Sequence, residues 1–281
     1  MKRVSEIMTL APIVAEVPGT RNEAINVMVR NDLTGLPVIR GSDGRLVGVV
    51  SRKDIFNNFE EDQLSLIMKK DPVSVSTETT VREAAEIFYR ERFHRLPVTE
   101  DGKLVGIITP TDLLDDVRAL KSKITAEEVI KITCVTAWEH EPLSYTIPAM
   151  RLSDVPAMPV LDSVGNLTGI ITDRDLFSDQ AGDPEAMQIL GIEDTTLAGY
   201  RNVLPLFYTA TDKYLNEDKE VSDFMIKDPI TVYKKTSISE VARLMKLHDF
   251  GQIPVRGSKD ELVGMVYDVD ILIALIGNSN E

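Results

Sequence analysis

Apolar and polar positions along this chain follow a cycle that returns four times. A run of strand type, Pro12-Ile13-Val14-Ala15-Glu16-Val17, ends at the turn Pro18-Gly19. Apolar residues then fall at helical spacing, Ala24, Ile25, Met28 and Val29, behind a capping box of Thr20 and Glu23. The same signals return at Pro72-Val73-Ser74-Val75, then Thr80 with Glu83, then Ala84, Ala85, Ile87 and Phe88. They return again at Pro229-Ile230-Thr231-Val232, then Ser237 with Glu240, then Val241, Ala242, Leu244 and Met245. Two further strand-like runs split by a tight turn follow each time, and a second short helix closes the unit. The pattern predicts strand, helix, strand, strand, helix in every unit, a mixed α/β (α+β) class.

The closing part of each unit is the most regular. It reads LPVIRGSDGRLVGVVSRKDIF at 36–56, LPVTEDGKLVGIITPTDLL at 96–114, MPVLDSVGNLTGIITDRDLF at 158–177 and IPVRGSKDELVGMVYDVDIL at 253–272. Pro37, Pro97, Pro159 and Pro254 stand at strand starts, where a missing N–H is tolerated. Asp43-Gly44, Asp101-Gly102 and Gly165 supply hairpin turns, and Lys259-Asp260 is the weakest of the four. Each return strand carries one glycine, Gly48, Gly106, Gly169 or Gly264, which predicts close approach by another backbone or a ligand. Three units then end in Ser/Thr-x-x-Asp, whereas the fourth places Tyr267 at the hydroxyl position.

Residues 1–10 predict a short lead-in helix. The third unit departs from the pattern: its first strand, near Ile132 to Ala137, lacks the leading proline, and its helix is displaced to Leu143–Ser153 around Pro148, predicting a shortened or kinked helix. Residues 178–220 are surplus to the repeat and read as short helices and loops. The expected units are 1–60, 61–120, 121–180 and 219–281, with a helical insert at 181–218 and a connector between halves within 117–128. Units one and two (1–120) form one pair, and units three and four (121–281) the other.

Composition narrows the function. A net charge of −14 argues against nucleic acid or an anionic membrane as partner, since both need clustered cations. A single cysteine, Cys134, excludes an intrachain disulfide and fits a reducing cytoplasm. The start has no signal-type apolar core, and no run reaches transmembrane length. The three histidines, His94, His140 and His248, lie in different units, and neither a Walker loop nor a zinc-type Cys/His cluster is present, so no catalytic residue or metal site is expected.

The proline-led strand, the turn, the glycine of the return strand and Ser/Thr-x-x-Asp together resemble the CBS (cystathionine β-synthase) domain. All four units fit, covering the chain apart from the insert. The resemblance implies two CBS pairs, or Bateman modules, each with two clefts related by a pseudo-twofold axis. It implies a regulatory adenosine ligand there: AMP, ADP, ATP, S-adenosylmethionine or methylthioadenosine. The layout is similar to the gamma subunit of the AMP-activated kinase and to archaeal stand-alone sensors. An effector protein or further copies of the chain are the implied macromolecular partners.

Carried residue by residue, the resemblance makes Asp54, Asp112, Asp175 and Asp270 acceptors for a ribose diol, a role that suits an acceptor-only carboxylate. Ser51, Thr109, Thr111 and Thr172 add hydroxyls, and Val50, Ile108 and Ile171, like Val266, touch adenine by backbone and side chain. Ala11, Pro12, Glu16, Leu33 and Thr34 line the cleft closed by Asp112; Pro72, Val73 and Ser74 line that closed by Asp54. His94-Arg95 is a basic pair without counterpart in the other units and is expected to face phosphates. Arg52, Lys53 and Arg174 flank closing aspartates, where either phosphate or bulk water is their partner. In such cation-poor clefts a sulfonium ligand stands nearly level with a nucleotide. Ser/Thr-x-x-Asp is also an ordinary helix cap worth about 1 kcal/mol without any ligand. A structural adaptor with vestigial clefts, docking through the insert, and an enzyme acting on a nucleotide are therefore the alternatives to a sensor.

Overall fold

The structure, a computed structural model, describes residues 2–131, 134–153, 155–172, 175, 184–192 and 219–277. The first unit contributes β1 (Thr9–Leu10), β2 (Ala15–Val17), α1 (Arg21–Arg30), β3 (Gly35–Arg40), β4 (Leu46–Ser51) and α2 (Arg52–Asn57). The second contributes α3 (Leu64–Ile67), β5 (Lys69–Lys70), α4 (Val81–Glu91), β6 (Leu96–Glu100), β7 (Lys103–Ile108) and, after a 3-10 turn at Pro110–Leu113, α5 (Leu114–Ala119). The third holds α6 (Ala126–Val129), β8 (Ala137–Trp138), α7 (Leu143–Ser153), β9 (Ala157–Leu161) and β10 (Leu167–Thr172), followed by α8 (Pro184–Leu190) within the insert. The fourth holds β11 (Ile226–Lys227), β12 (Val232–Tyr233), α9 (Ile238–His248), β13 (Gln252–Arg256), β14 (Leu262–Tyr267), α10 (Asp268–Ile271) and α11 (Ile273–Gly277). Most of the insert and Arg174 lie outside the described residues.

Local chemistry explains the helix starts and the turns. Thr20 and Thr80 form the expected capping boxes, their N–H groups donating to Glu23 and Glu83 at 2.7 and 2.8 Å, and the Ser237 side chain caps α9. The hairpin between β6 and β7 turns on Asp101 and Gly102, both at positive φ (50° and 78°), and Asp260 takes φ 61° in the fourth unit. Helix α7 contains Pro148 yet runs for 11 residues, as long as α4 and α9, so the expected shortening does not occur. Burial of Leu143, Ile147 and Met150 anchors it on both sides of the proline.

Each pair is bound by exchanged strands. The expected lead-in helix is reduced to a 3-10 turn at Val4–Glu6, and β1 leaves its own unit to pair antiparallel with β7 of the second. In return β5 pairs with β4 of the first unit, and β11 of the fourth unit pairs with β10 of the third. The chain then doubles back through a left-handed residue before proline: Ala11 (φ 46°), Asp71 (50°) and Asp228 (50°). That bend shortens the strand that follows. β2 begins only at Ala15, and the strand expected at 72–75 is a single parallel bridge, Val75 to Val98.

The return-strand glycines receive these crossings. A Cβ on Gly48, Gly106 or Gly169 would lie 2.5–2.6 Å from the sulfur of Met68, Met8 or Met225 and 3.0–3.2 Å from a carbonyl of the crossing strand. At Gly264 the visitor is Ile130, at 3.0 Å. The close approach expected at these glycines is therefore made by the partner repeat's chain. Gly106→Ala should lower the denaturant midpoint by the equivalent of about 1–3 kcal/mol, the range for overpacking. Adding Met8→Ala should recover part of the loss; equal stability of Gly106→Ala and wild type would refute the tight crossing.

The two modules meet along their helices. One core joins the first and third units through Ile25, Leu36 and Ile55 with Ile147, Met158 and Ile171. The other joins the second and fourth through Phe88, Leu96 and Leu113 with Val241, Met245 and Ile253. Ser239 on α9 ties the second seam, accepting from the Ser122 N–H at 2.9 Å and donating to the Val117 carbonyl at 3.3 Å. The end of α8 rests on the first unit, where the Asn26 amide donates to the Gly191 carbonyl at 2.7 Å.

Candidate functional site

The closing aspartates share one local geometry. Asp112 Oδ2 accepts from the Thr109 N–H and hydroxyl at 2.7 and 2.8 Å, Asp54 Oδ2 from Ser51 at 2.9 and 2.5 Å, and Asp175 Oδ2 from Thr172 at 2.9 and 2.6 Å. The cap thus fixes one carboxylate oxygen and aims the other. Its fate differs among units. Asp112 Oδ1 has no protein partner among the described residues, while Asp54 Oδ1 meets the ammonium of the exposed Lys69 at 3.3 Å. Asp270 is 2% exposed and its Oδ1 is engaged by the Arg92 guanidinium, a partner 178 residues away in the other module. The ribose role expected of Asp270 therefore meets an oxygen already taken.

Around the first pair, Ala11, Glu16, Val73 and Ser74 are exposed on the segments after the crossings, with Pro12 and Pro72 half-buried. Leu33 and Thr34 are half-buried between α1 and β3, and Thr111 lies in the 3-10 turn that carries Asp112. Lys53 is exposed on α2 beside Asp54. One expectation is corrected. The side chains of Val50, Ile108 and Ile171 are at most 1% exposed within the cores, as is that of Val266, so only their peptide groups can face a cleft. Strand alternation turns Val49 and Ile107 to the opposite face.

Arg95 is a half-buried cation of the first pair. Its guanidinium donates to Thr34 Oγ1 at 2.7 Å and covers Gly35, where any Cβ would collide with it. Glycine at 35 is what admits the arginine. Burial, and then repulsion from Arg52, hold its pKa below the ordinary value, while Asp54 acts in the opposite direction. No carboxylate ion-pairs with it among the described residues; Asp54 pairs instead with Lys69. His94 reaches the surface nearby, and burial with the Arg95 and Arg92 charges holds its imidazole below the usual value. Five residues escaped the sequence reading. Arg92 and Lys69 sit on closing aspartates, and the methionines of the crossings were visible only as Met-x-x-x-Pro at Met8, Met68 and Met225.

A family model for the CBS domain matches residues 4–61, 64–119, 126–182 and 221–277. The chain belongs to the CBS domain family. The chain is 26% identical over 193 residues to the uncharacterized protein MJ1225 of Methanocaldococcus jannaschii, covering 62% of this chain and 68% of that one. The crystal structure of MJ1225, proposed as an archaeal homolog of g-AMPK, superposes with TM-score 0.74 at 21% identity over 96% of this chain and 99% of the other. An uncharacterized conserved protein from Pyrococcus horikoshii gives TM-score 0.68 at 27% identity over 97% and 99%. Inosine-5′-monophosphate dehydrogenase of M. jannaschii is 35% identical over 118 residues, 41% of this CBS chain but 23% of the enzyme. No helix among the described residues is long and apolar enough to cross a membrane. None of the described His, Cys, Asp and Glu residues group in a way that could hold a metal ion. Burial pushes the Cys134 thiol up, the opposite of what a nucleophile needs.

Proposed function

We propose that this chain is a regulatory module whose first CBS pair binds an adenosine nucleotide, with phosphate at Arg95 and His94 beside the Asp54 cleft and a second nucleoside diol at Asp112. The observation that carries the reading is Arg95: a desolvated guanidinium with no carboxylate ion-paired to it among the described residues suits an anion, and its planar fork matches phosphate. That favours AMP, ADP or ATP over cationic S-adenosylmethionine at this cleft. Asp112 supports the nucleoside half, because an acceptor-only oxygen held in place by a cap suits two hydroxyl donors. Conformational signalling follows from position, since ligand in the first pair lies beside helices that form the seams with the second.

Thermal shift against AMP, adenosine and S-adenosylmethionine tests this, with AMP expected to give the largest saturable stabilisation. The pH dependence adds a signature. Because the His94 value is lowered in the free protein, the unfolded chain binds more protons, and this contribution to stability falls as pH drops below about 6.5. A bound phosphate raises that value again, so AMP affinity should increase as pH falls from 8 toward 6, an advantage lost above the His94 value of the complex. Adenosine should show no such slope, and neither should AMP on His94→Asn. A flat AMP profile on wild type, or a larger shift with S-adenosylmethionine, would sink the phosphate assignment.

A further inference from the structure

The fourth cleft differs from that of Asp112 in what sits on its closing carboxylate. Asp270 Oδ2 accepts the Tyr267 N–H at 3.2 Å, in the same cap position as the other three, and its Oδ1 corresponds to the oxygen that Asp112 would present to a ligand. Here a protein group holds it. Arg92 follows α4 of the second unit, and its left-handed backbone (φ 57°) ends the helix. Its guanidinium engages Asp270 and lies 5.9 Å from the centre of the Tyr267 ring. Asp268, 8% exposed, stands beside it, its pKa pushed up to about 6 by burial, with Arg92 pulling the other way. Arg92 is thus a cation delivered from one module to a pair of buried carboxylates in the other.

A guanidinium presents N–H donors side by side, as a ribose diol presents two O–H donors, and a carboxylate accepts either. The pairing spans 178 residues, so no local helix-cap requirement explains it. We propose that Arg92 is a tethered occupant of the fourth cleft, standing on Asp270 where a nucleoside diol stands on Asp112, so that a residue of the first module closes this cleft to nucleosides. This rests on the reading that closing aspartates receive a diol, and it adds that the Asp112 and Asp270 clefts differ by one side chain donated from the other module.

Equilibrium dialysis of the full chain with saturating radiolabelled adenosine at pH 8 tests the inference by counting sites. Arg92→Ala is expected to bind one more adenosine per chain than wild type. Arg92→Ala combined with Asp270→Ala should return to the wild-type number, and Arg92→Lys, which keeps a cation on Asp270, should stay at it. If Arg92→Ala does not fold, Arg92→Gln retains the packing of the stem and is expected to gain the same site. An unchanged count in whichever of these two variants folds overturns the proposal, as does a gained site that survives Asp270→Ala. The outcome is separable from that of the nucleotide reading. No site on wild type with one on Arg92→Ala supports the tethered occupant and sinks adenosine binding by the first pair; sites on wild type without a gain do the reverse.

Discussion

Arg95→Ala is expected to weaken AMP binding at the Asp54 cleft about 100-fold while changing adenosine affinity little. Two charge-assisted hydrogen bonds from one guanidinium are worth about 3 kcal/mol together at the low end of their range, and each ~1.4 kcal/mol is tenfold in affinity. Stability of the free protein should move the other way or not at all. Arg95 is half-buried against Thr34 and Gly35 with Arg52 repelling it, so its removal relieves a partly desolvated charge and loses one hydrogen bond to a hydroxyl. Calorimetric titration with AMP and adenosine, alongside chemical denaturation, measures both. Unchanged AMP affinity would place the phosphate elsewhere, and a large loss of stability would make Arg95 a structural residue.

Asp112→Ala is expected to remove one nucleoside site, affecting AMP and adenosine alike at that cleft by about 100-fold, since both diol hydrogen bonds to a charged acceptor are lost. The accompanying stability cost should be about 1 kcal/mol, that of a helix cap, because Thr109 loses its N–H acceptor while Leu113 and Leu114 keep the turn buried. Binding of 2′-deoxyadenosine isolates the contact. It should be weaker than adenosine on wild type and lose less than adenosine does on Asp112→Ala, because only its 3′-hydroxyl bond remains to be lost, a coupling that a double-mutant cycle reads directly. Additive losses would mean that Asp112 and the 2′-hydroxyl do not touch.

What the sequence made legible was local. Hairpin turns, capping boxes and the Ser/Thr-x-x-Asp tips rest on contacts within about four residues, and they stand at Thr20, Thr80, Asp101-Gly102, Ser51 and Thr172 as expected. The return-strand glycines announced a close neighbour without naming it, since the approaching methionines belong to another repeat. Side-chain direction at Val50 and Ile108 was misjudged because a strand residue next to a cleft can point either way, and the hydrophobic core claimed these two. Arg92 on Asp270 was beyond reach, as nothing local couples residues in different modules. The pair His94-Arg95 is legible by charge alone; its desolvation and the glycine that admits it depend on the folded packing.

The reciprocal crossing of β1 and β5 bears on how such chains are built and how they break. A single unit cut free would carry a bare sheet edge on β4 or β7 and a lead-in strand with nowhere to lie, which invites capture of the missing strand from a second molecule. Growth or loss by twos keeps every edge covered, whereas an odd number leaves one copy to seek its complement outside the chain.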